Sequence, residues 1–134
     1  MGAAGDFGKL ILRGVLAVMM LFHGISKVVG GPGYVVGVVA HAGLPHAFAY
    51  GVYVGEVVAP LLVLIGLWTR AAAFVIAVNM AVAVALVHRG DLMHLADTGG
   101  WALELQAMYL FTAAALVFLG AGRYSAGGAN GTLN

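Results

Sequence analysis

The sequence predicts an all-α integral membrane protein, built as a four-helix bundle with up-down-up-down topology. Hydrophobic residues make up 63% of the 134 residues, charged residues make up only 8%, and the mean hydropathy is +1.03. Soluble domains contain about 25% charged residues, so this chain has too little polar surface to cover a water-soluble globule. Four apolar segments are also long enough to cross a bilayer, which takes about 20 residues per helix.

The four predicted helices form a single domain over residues 1–125. They lie at about residues 10–29, 47–67, 71–88 and 101–120. The first segment is longer than the apolar region of a signal peptide and lacks a clear small-residue cleavage site. We therefore expect it to be retained as a membrane span.

The connections favour an up-down-up-down order. The first is long and glycine-rich, and its apolar centre at residues 34–40 is expected to form a short helix at the membrane interface. The second, residues 68–70, is so short that it predicts antiparallel neighbours. The third, residues 89–100, is polar and offers Thr98 or a glycine as a cap for the last helix. The tail, residues 126–134, is rich in glycine and asparagine, and we expect it to be flexible.

Lysines and arginines in the short loops predict the orientation, because they are enriched on the cytoplasmic side. Four fall on the side that holds both termini: Lys9, Arg13, Arg70 and Arg123. Two fall on the opposite side: Lys27 and Arg89. The difference predicts a multi-pass protein of the cell (inner) membrane with both termini in the cytoplasm.

Charge and cysteine content exclude several classes of function. A net charge of +1 provides no basic patch for nucleic acid. Without cysteine, the chain cannot form disulfides, thiolate metal sites, iron–sulfur clusters or c-type haem attachments. The partner that this composition predicts is the lipid bilayer, and the chain could also assemble with copies of itself.

Polar residues inside the first apolar segment form a stripe along one helix face. At 100° per residue, Arg13, Met20 and Lys27 share this face, and His23 and Gly24 lie beside it. A charge at the centre of a membrane helix costs about 2.5–3.5 kcal/mol on insertion scales. The stripe is therefore expected to face the interior of the bundle, where Gly24 would allow a neighbouring helix to approach closely.

The partners predicted for these groups are the two carboxylates inside helices, Glu56 and Glu104. At a rise of about 1.5 Å per residue, Glu56 lies at a depth similar to that of His23, and Glu104 lies level with Lys27. We therefore expect His23, Lys27, Glu56 and Glu104 to form a buried cluster in the outer half of the membrane.

This cluster and two arginines near the inner face are the candidate site. Glu56 and Glu104 are the candidate catalytic groups, as proton-exchanging carboxylates. Four basic residues are candidate substrate contacts: Arg13, His23, Lys27 and Arg70. Structural interpretations stand beside these: Lys27 and Arg70 could anchor helices at the interface, and Glu104 could serve only as an ion-pair partner of Lys27. His23 could be a hydrogen-bonded core residue.

Three further polar residues lie in the apolar segments. Asn79 is expected to form a hydrogen bond across helices. His88 falls on the opposite face of the same helix, so at most one of the two should line a shared cavity. Tyr53 lies one turn from Glu56 and could donate a hydrogen bond to it.

Methionine and histidine side chains raise the alternative of a metal or haem cofactor. Soft ligand sets of this kind hold copper or haem, and the residues concerned are Met19, Met20, His23, Met93 and His94. Their spacing fits no specific site, and methionine is common in apolar helices. We therefore predict no metal-binding residues, and haem or copper is the less favoured cofactor.

Several motifs together resemble the DoxX family of small four-helix bacterial and archaeal membrane proteins. They are LRGVLAVMMLFHGISKVVGG, GLP, GEVVAPLLVLIGLWTR, a glutamate one turn into the last helix, and GAGRYS. The resemblance extends over about residues 10–125. It points to the following positions: Arg13, Gly24, Lys27, Glu56, Gly66, Arg70, Glu104 and Arg123. The family is named after a subunit of an archaeal thiosulfate:quinone oxidoreductase, so the resemblance implies a redox role beside a partner enzyme.

Three functions remain open from the sequence. The favoured one is a quinone-interacting redox subunit or membrane anchor, whose electrons arrive from a partner. In that case the chain would be a subunit of a quinone-linked oxidoreductase and not a complete enzyme. A small proton-coupled transporter, which would require a dimer, is the first alternative. A structural scaffold, in which the polar groups only fix the helix register, is the second.

Overall fold

The computed structural model describes residues 2–134 and is helical, which confirms the all-α prediction. Its main helices are α1 (Ala3–Gly30), α2 (Gly33–His41), α3 (His46–Ile65), α4 (Thr69–Leu86) and α5 (Glu104–Leu119). Within the described residues there is no β-strand, only an isolated bridge between Leu95 and Trp101. Three helices, α1, α3 and α4, are long and apolar enough to cross a membrane, and α5 is a shorter apolar helix.

The first helix begins about two turns earlier than its hydropathy predicts. Asp6 and Lys9 lower the hydropathy of its start, so the apolar segment begins only at Leu10. Asp6 nevertheless lies in the first turn of α1, where a negative charge interacts favourably with the helix dipole. The helix thus extends beyond its apolar part.

The α3 helix is not regular throughout. It opens with a 3₁₀ turn at His46–Tyr50 and contains a π-helical turn at Val54–Val58. Pro60 follows that turn. Because proline has no backbone N–H, it cannot donate the usual hydrogen bond to the carbonyl of Glu56, four residues earlier. Within the π turn, the N–H of Ala59 instead donates to the carbonyl of Val54.

A tight turn ends α3 and starts α4. Gly66 adopts the left-handed conformation with φ 74°, and its N–H donates to the carbonyl of Leu62 at 2.9 Å. The N–H of Leu67 donates to the same carbonyl at 3.0 Å. These two hydrogen bonds to one carbonyl are typical of a helix that terminates at a left-handed residue. A side chain on Gly66 would be strained, and it would also collide with Ser125.

The helices pack around small and branched apolar side chains. The core contains Leu16, Ala17, Met20, Ala59, Val63, Ala72, Ala73, Ile76, Met80, Ala113 and Leu116. Five of these eleven are alanines, which permit the close helix packing typical of membrane proteins. Large apolar side chains also point outward from every long helix, among them Phe22, Val58, Phe74 and Phe118. An apolar exterior around a helical core fits a lipid environment.

Two arginines close helix ends at what we call the tail end of the molecule, where residues 120–134 pack. Arg13 is almost fully buried, and its guanidinium donates to the carbonyls of Val63, Leu64 and Tyr124. Arg70 donates to the carbonyls of Val117 and Phe118, both at 2.7 Å. The last carbonyls of a helix have no partner within the helix, so Arg13 caps α3 and Arg70 caps α5.

The tail packs against the α3–α4 turn, whereas its composition predicts flexibility. The N–H groups of Ala126 and Gly127 donate to the carbonyls of Ile65 and Gly66 at 3.0 and 2.9 Å. Asn134 is buried, and its side-chain oxygen accepts from the N–H and the hydroxyl of Thr69 at 3.2 and 2.8 Å. The turn leaves unpaired backbone groups at two helix ends, and the tail satisfies them. Composition alone does not reveal this requirement.

Replacing Asn134 should therefore destabilise the protein. Asn134→Ala removes the two hydrogen bonds from Thr69 and those to Ser125 and Gly128. Leaving the buried N–H and hydroxyl of Thr69 unpaired should cost about 1–3 kcal/mol of unfolding free energy. Thermal unfolding in detergent would measure the loss, with Asn130→Ala as the matched control because Asn130 is exposed. Equal unfolding temperatures for the two variants would contradict the role of the tail.

Candidate functional site

The centre of the candidate site is Glu56, which the irregular part of α3 brings between α1 and α4. Gly24 of α1 packs directly on the backbone carbonyl of Glu56, and a Cβ at that position would overlap the oxygen. Gly55 packs in the same way on the side chain of Asn79 from α4. Both glycines thus allow the backbones to approach closely. As a result, Glu56 is 4% exposed although it carries a carboxylate.

The carboxylate of Glu56 has a partner for each oxygen. The ammonium nitrogen of Lys27 forms an ion pair with Oε2, and Nδ2 of Asn79 donates to Oε1 at 3.3 Å. The prediction that Lys27 pairs with one of the two helix carboxylates is confirmed, and the partner is Glu56. Asn79 bonds across helices, as expected. Because the Lys27 side chain remains 32% exposed, the pair is accessible on one side.

Tyr53 secures this arrangement through the backbone. Its hydroxyl donates to the carbonyl of Lys27 at 3.3 Å, whereas the sequence suggested Glu56 as its acceptor. The carbonyls of the last turn of α1 lack partners within that helix. Tyr53 therefore ties α3 to the end of α1 next to the ion pair.

A small polar cavity of about 110 Å³ lies beside the ion pair. Its polar lining comes from α1, α3, α5 and the start of the loop that follows α4: His23, Lys27, Glu56, His88, Gln106 and Tyr109. Nε2 of His23 lies 3.3 Å from the hydroxyl of Tyr109. Nδ1 of His88 lies 3.3 Å from a carboxylate oxygen of Asp91. We call this space the polar chamber.

A larger cavity of about 520 Å³ adjoins the polar chamber. Valines and aromatic residues of α2, α3 and α4 form most of its wall, including Val38, Phe48, Val52, Val78 and Val82. Four residues line both cavities: Lys27, Glu56, Ala83 and His88. We call this space the apolar groove. Polar groups also contribute to its wall, because Lys27, Glu56 and Asn79 line it.

Glu104 lies outside both cavities. The predicted helix began at residue 101, but α5 begins at Glu104 because Trp101 is held in the bridge with Leu95. The carboxylate is therefore exposed in the first turn of α5 and lies against Gly100, a position that favours a negative charge. Among residues 2–134 it has no ion-pair partner. The predicted placement of Glu104 next to Lys27 is wrong.

The remaining predicted residues divide between the two ends of the molecule. His23 and Lys27 line the polar chamber with Glu56. Arg13 and Arg70 lie at the tail end and line neither cavity, and their guanidinium groups bind helix carbonyls. Both arginines act as helix caps. This placement does not support their predicted role in substrate binding.

Asn79 and His88 line the apolar groove together, contrary to the prediction that at most one of them would do so. The prediction extended the helical rotation from Asn79 to His88. However, α4 ends at Leu86, and His88 has φ −109° and ψ 15°, outside the helix. The chain therefore redirects His88 toward the groove.

Two residues of the polar chamber were not predicted. Gln106 and Tyr109 both lie on α5 and reach toward the histidines of the chamber. A glutamine in an otherwise apolar helix could have indicated a polar site at Gln106, and Tyr109 follows it by three residues. Of the suggested soft ligands, Met20 and His23 line the chamber, whereas Met93 and His94 lie in the loop after α4.

Comparison with known proteins places this arrangement in a family. The DoxX family profile matches residues 8–89, a range that includes Lys27, Glu56 and Asn79. An uncharacterized protein of Haemophilus influenzae is 36% identical over 114 residues, which are 83% of this chain and 81% of the relative. No solved structure matches the chain. The protein is therefore a member of the DoxX family, with the apolar helices of a membrane protein.

Proposed function

We propose that the protein is a quinone-binding redox subunit, or the membrane anchor, of an oxidoreductase in the inner membrane. The observation that carries this proposal is the apolar groove, whose wall includes the polar side chains of Lys27, Glu56 and Asn79. A ligand that suits it has a long hydrocarbon tail and a polar head. Its volume of about 520 Å³ lies within the range of small-molecule sites, about 300–1,000 Å³.

The polar side chains that line the apolar groove suit a quinone head. Quinone carbonyl oxygens accept hydrogen bonds, and the ammonium of Lys27 and the amide of Asn79 are donors. The valines of α2 and α4 provide an apolar wall for an isoprenoid tail. A phosphate or sulfate head would face the carboxylate of Glu56, so a neutral head is favoured by charge.

A bound quinone would supply the redox chemistry, taking two electrons from a partner protein that carries a redox centre and two protons to form the quinol. This chain supplies no cysteine-based centre, so the partner is the electron donor. Lys27 and Asn79 orient the head by hydrogen bonds. Glu56, ionised in its pair with Lys27, takes up a proton at its carboxylate and passes it to the reduced head, in the manner of a positioned general acid.

The proposed membrane arrangement has four spans, with α5 as the fourth and both termini in the cytoplasm. The excess of lysine and arginine at the tail end supports this orientation. At about 1.5 Å per residue, the 16 residues of α5 extend about 24 Å, somewhat short of the hydrocarbon thickness. Residues on either side of α5 would complete the span.

Filling the apolar groove should abolish quinone binding. Val78→Trp places a large side chain in the groove, whereas Val15→Trp, at an exposed position of α1, is the matched control. We expect Val78→Trp to weaken the binding of decylubiquinone to purified protein by at least about tenfold, a loss of about 1.4 kcal/mol. Equilibrium binding in detergent measures it. Equal affinities for the two variants would contradict the proposal.

Glu56 should be required for activity independently of stability. Glu56→Gln leaves Lys27 without a counter-charge, and breaking a buried ion pair typically costs about 3–5 kcal/mol. Adding Lys27→Met removes the unpaired charge, so the double variant should regain much of the unfolding temperature. Quinone reduction should stay lost in reconstituted membranes that contain the host's own electron donors.

Glu104→Gln is the matched control, because Glu104 is an exposed glutamate outside both cavities. It should retain activity and stability. If the double variant recovers both stability and quinone reduction, the pair is only structural and the scaffold function is correct.

The orientation predicts which side of the membrane each loop faces. The chain contains no cysteine, so a single introduced cysteine reports its own position. Met93→Cys, at a side chain 93% exposed, should react with an impermeant maleimide on intact cells. Asn130→Cys, in the tail, should react only after lysis. The reverse pattern would invert the topology.

A further inference from the structure

The polar chamber is distinct in chemistry from the apolar groove and has no role yet in binding a ligand. Six of its ten lining residues carry polar side chains, and the other four are apolar: Met20, Met80, Ala83 and Leu105. A water molecule needs about 10–15 Å³ of cavity and two to four polar partners. The chamber, at about 110 Å³, is large enough for several.

One atom of the chamber requires a partner that the protein does not provide. The side-chain oxygen of Gln106 is buried and accepts no hydrogen bond from residues 2–134. A buried carbonyl without a partner costs about 1–3 kcal/mol, and folded proteins satisfy nearly all such groups with a protein donor or an ordered water. The other end of the same amide lies 3.4 Å from Nε2 of His88.

His88 connects the chamber to the surface. Its Nδ1 lies 3.3 Å from Asp91, whose side chain is 50% exposed. In the neutral tautomer that fits both contacts, Nδ1 donates to Asp91 and Nε2 accepts from Gln106. The ring therefore has an accepting nitrogen on the chamber side and a donating nitrogen on the solvent side. Because Glu56 and His88 line the same chamber, water can link the buried carboxylate to this histidine.

We propose that the polar chamber is a water-filled proton path, through which Glu56 exchanges protons with the solution by way of His88 and Asp91. When Glu56 is protonated, its proton passes to chamber water and, once the Gln106 amide has turned away, to Nε2 of His88, while Nδ1 releases one toward Asp91. No bond other than those to hydrogen changes. The path rests on the proposed function only in treating Glu56 as the proton-exchanging group.

The other titratable groups that face the chamber come from α1 and α5. They are His23, Lys27 and Tyr109. Lys27 is held by Glu56, and His23 contacts Tyr109, with ring centroids 5.7 Å apart in an edge-on arrangement. Neither has a carboxylate partner on the solvent side, whereas His88 has Asp91. His23 is itself exposed, but only His88 is paired with a carboxylate beyond the chamber, and on that pairing we assign the exit to His88.

Water in the chamber can be tested without any quinone. X-ray radiolysis in lipid nanodiscs oxidises side chains that lie next to bound water. Met20 is 0% exposed, yet it lines the chamber, and we expect it to be oxidised. Met93 in the loop is the positive control, and Met108, which is exposed on the outside of α5, should be protected by lipid. Gln106→Leu should reduce the oxidation of Met20 to the level of Met108, and Glu104→Gln should leave it unchanged.

Proton exchange can be followed by infrared spectroscopy after a pH jump, with the carboxyl bands of Glu56 assigned by their loss in Glu56→Gln. We expect His88→Phe to slow the exchange on the order of 10²-fold, the lower end of what a positioned proton-transfer group contributes. Asp91→Asn should also slow the exchange. Because the Asp91 side chain is 50% exposed, this variant controls for misfolding of His88→Phe. Arg89→Gln, a charge change in the same loop, should have no effect.

The outcome is decided by the two measurements together. Oxidation of Met20 with slow exchange in the His88 and Asp91 variants supports the path. Protection of Met20, or exchange at the unchanged rate in both variants, overturns it. Neither result depends on decylubiquinone binding, so the failure of the quinone proposal and the failure of the proton path are separable.

Discussion

The ion pair between Lys27 and Glu56 is the interaction on which the end of the molecule opposite the tail depends. We call this end, where both cavities lie, the loop end. An isolated charge in an apolar bundle carries a large desolvation cost, and each of these two residues offsets that cost for the other. Asn79 takes the second carboxylate oxygen, and Tyr53 ties the end of α1 to α3. The apolar groove and the polar chamber then meet at the pair, because its members line both. One ionic contact thus joins an apolar space to a polar one.

The two ends of the molecule use charge differently. At the tail end, Arg13 and Arg70 donate to carbonyls that helices leave unpaired, and Asn134 completes the start of α4. The terminal nitrogens of both arginines and the side chain of Asn134 have partners within the protein, whereas Nε of Arg13 is buried without one. At the loop end, Gln106 retains a buried oxygen without one, and Lys27 is partly exposed. The polar side chains at the tail end therefore hold helix ends together. At the loop end, Gln106 and Lys27 line the polar chamber.

The sequence predicts the charge pairing better than it predicts the detailed geometry. Depth along two helices was enough to bring Lys27 to a glutamate, since the rise per residue is constant within a helix. The same argument misplaced Glu104 because it assumed where α5 begins, and it misjudged His88 because it extended α4 past its end. Helix boundaries depend on local contacts such as the Leu95–Trp101 bridge, which hydropathy does not encode. The packed tail likewise depends on backbone groups left open elsewhere in the chain.

Backbone contacts set the position of Glu56, so the carboxylate can stay in place while the side chains around it change during evolution. Gly24, Gly55 and the proline-induced irregularity of α3 fix the carboxylate through main-chain geometry. The walls of the apolar groove, by contrast, are rich in valine side chains on α2, α3 and α4. Substitutions in those walls can alter the width and length of the groove without moving the charge. A change in the shape of the groove and the preservation of the buried carboxylate are therefore independent problems in this architecture.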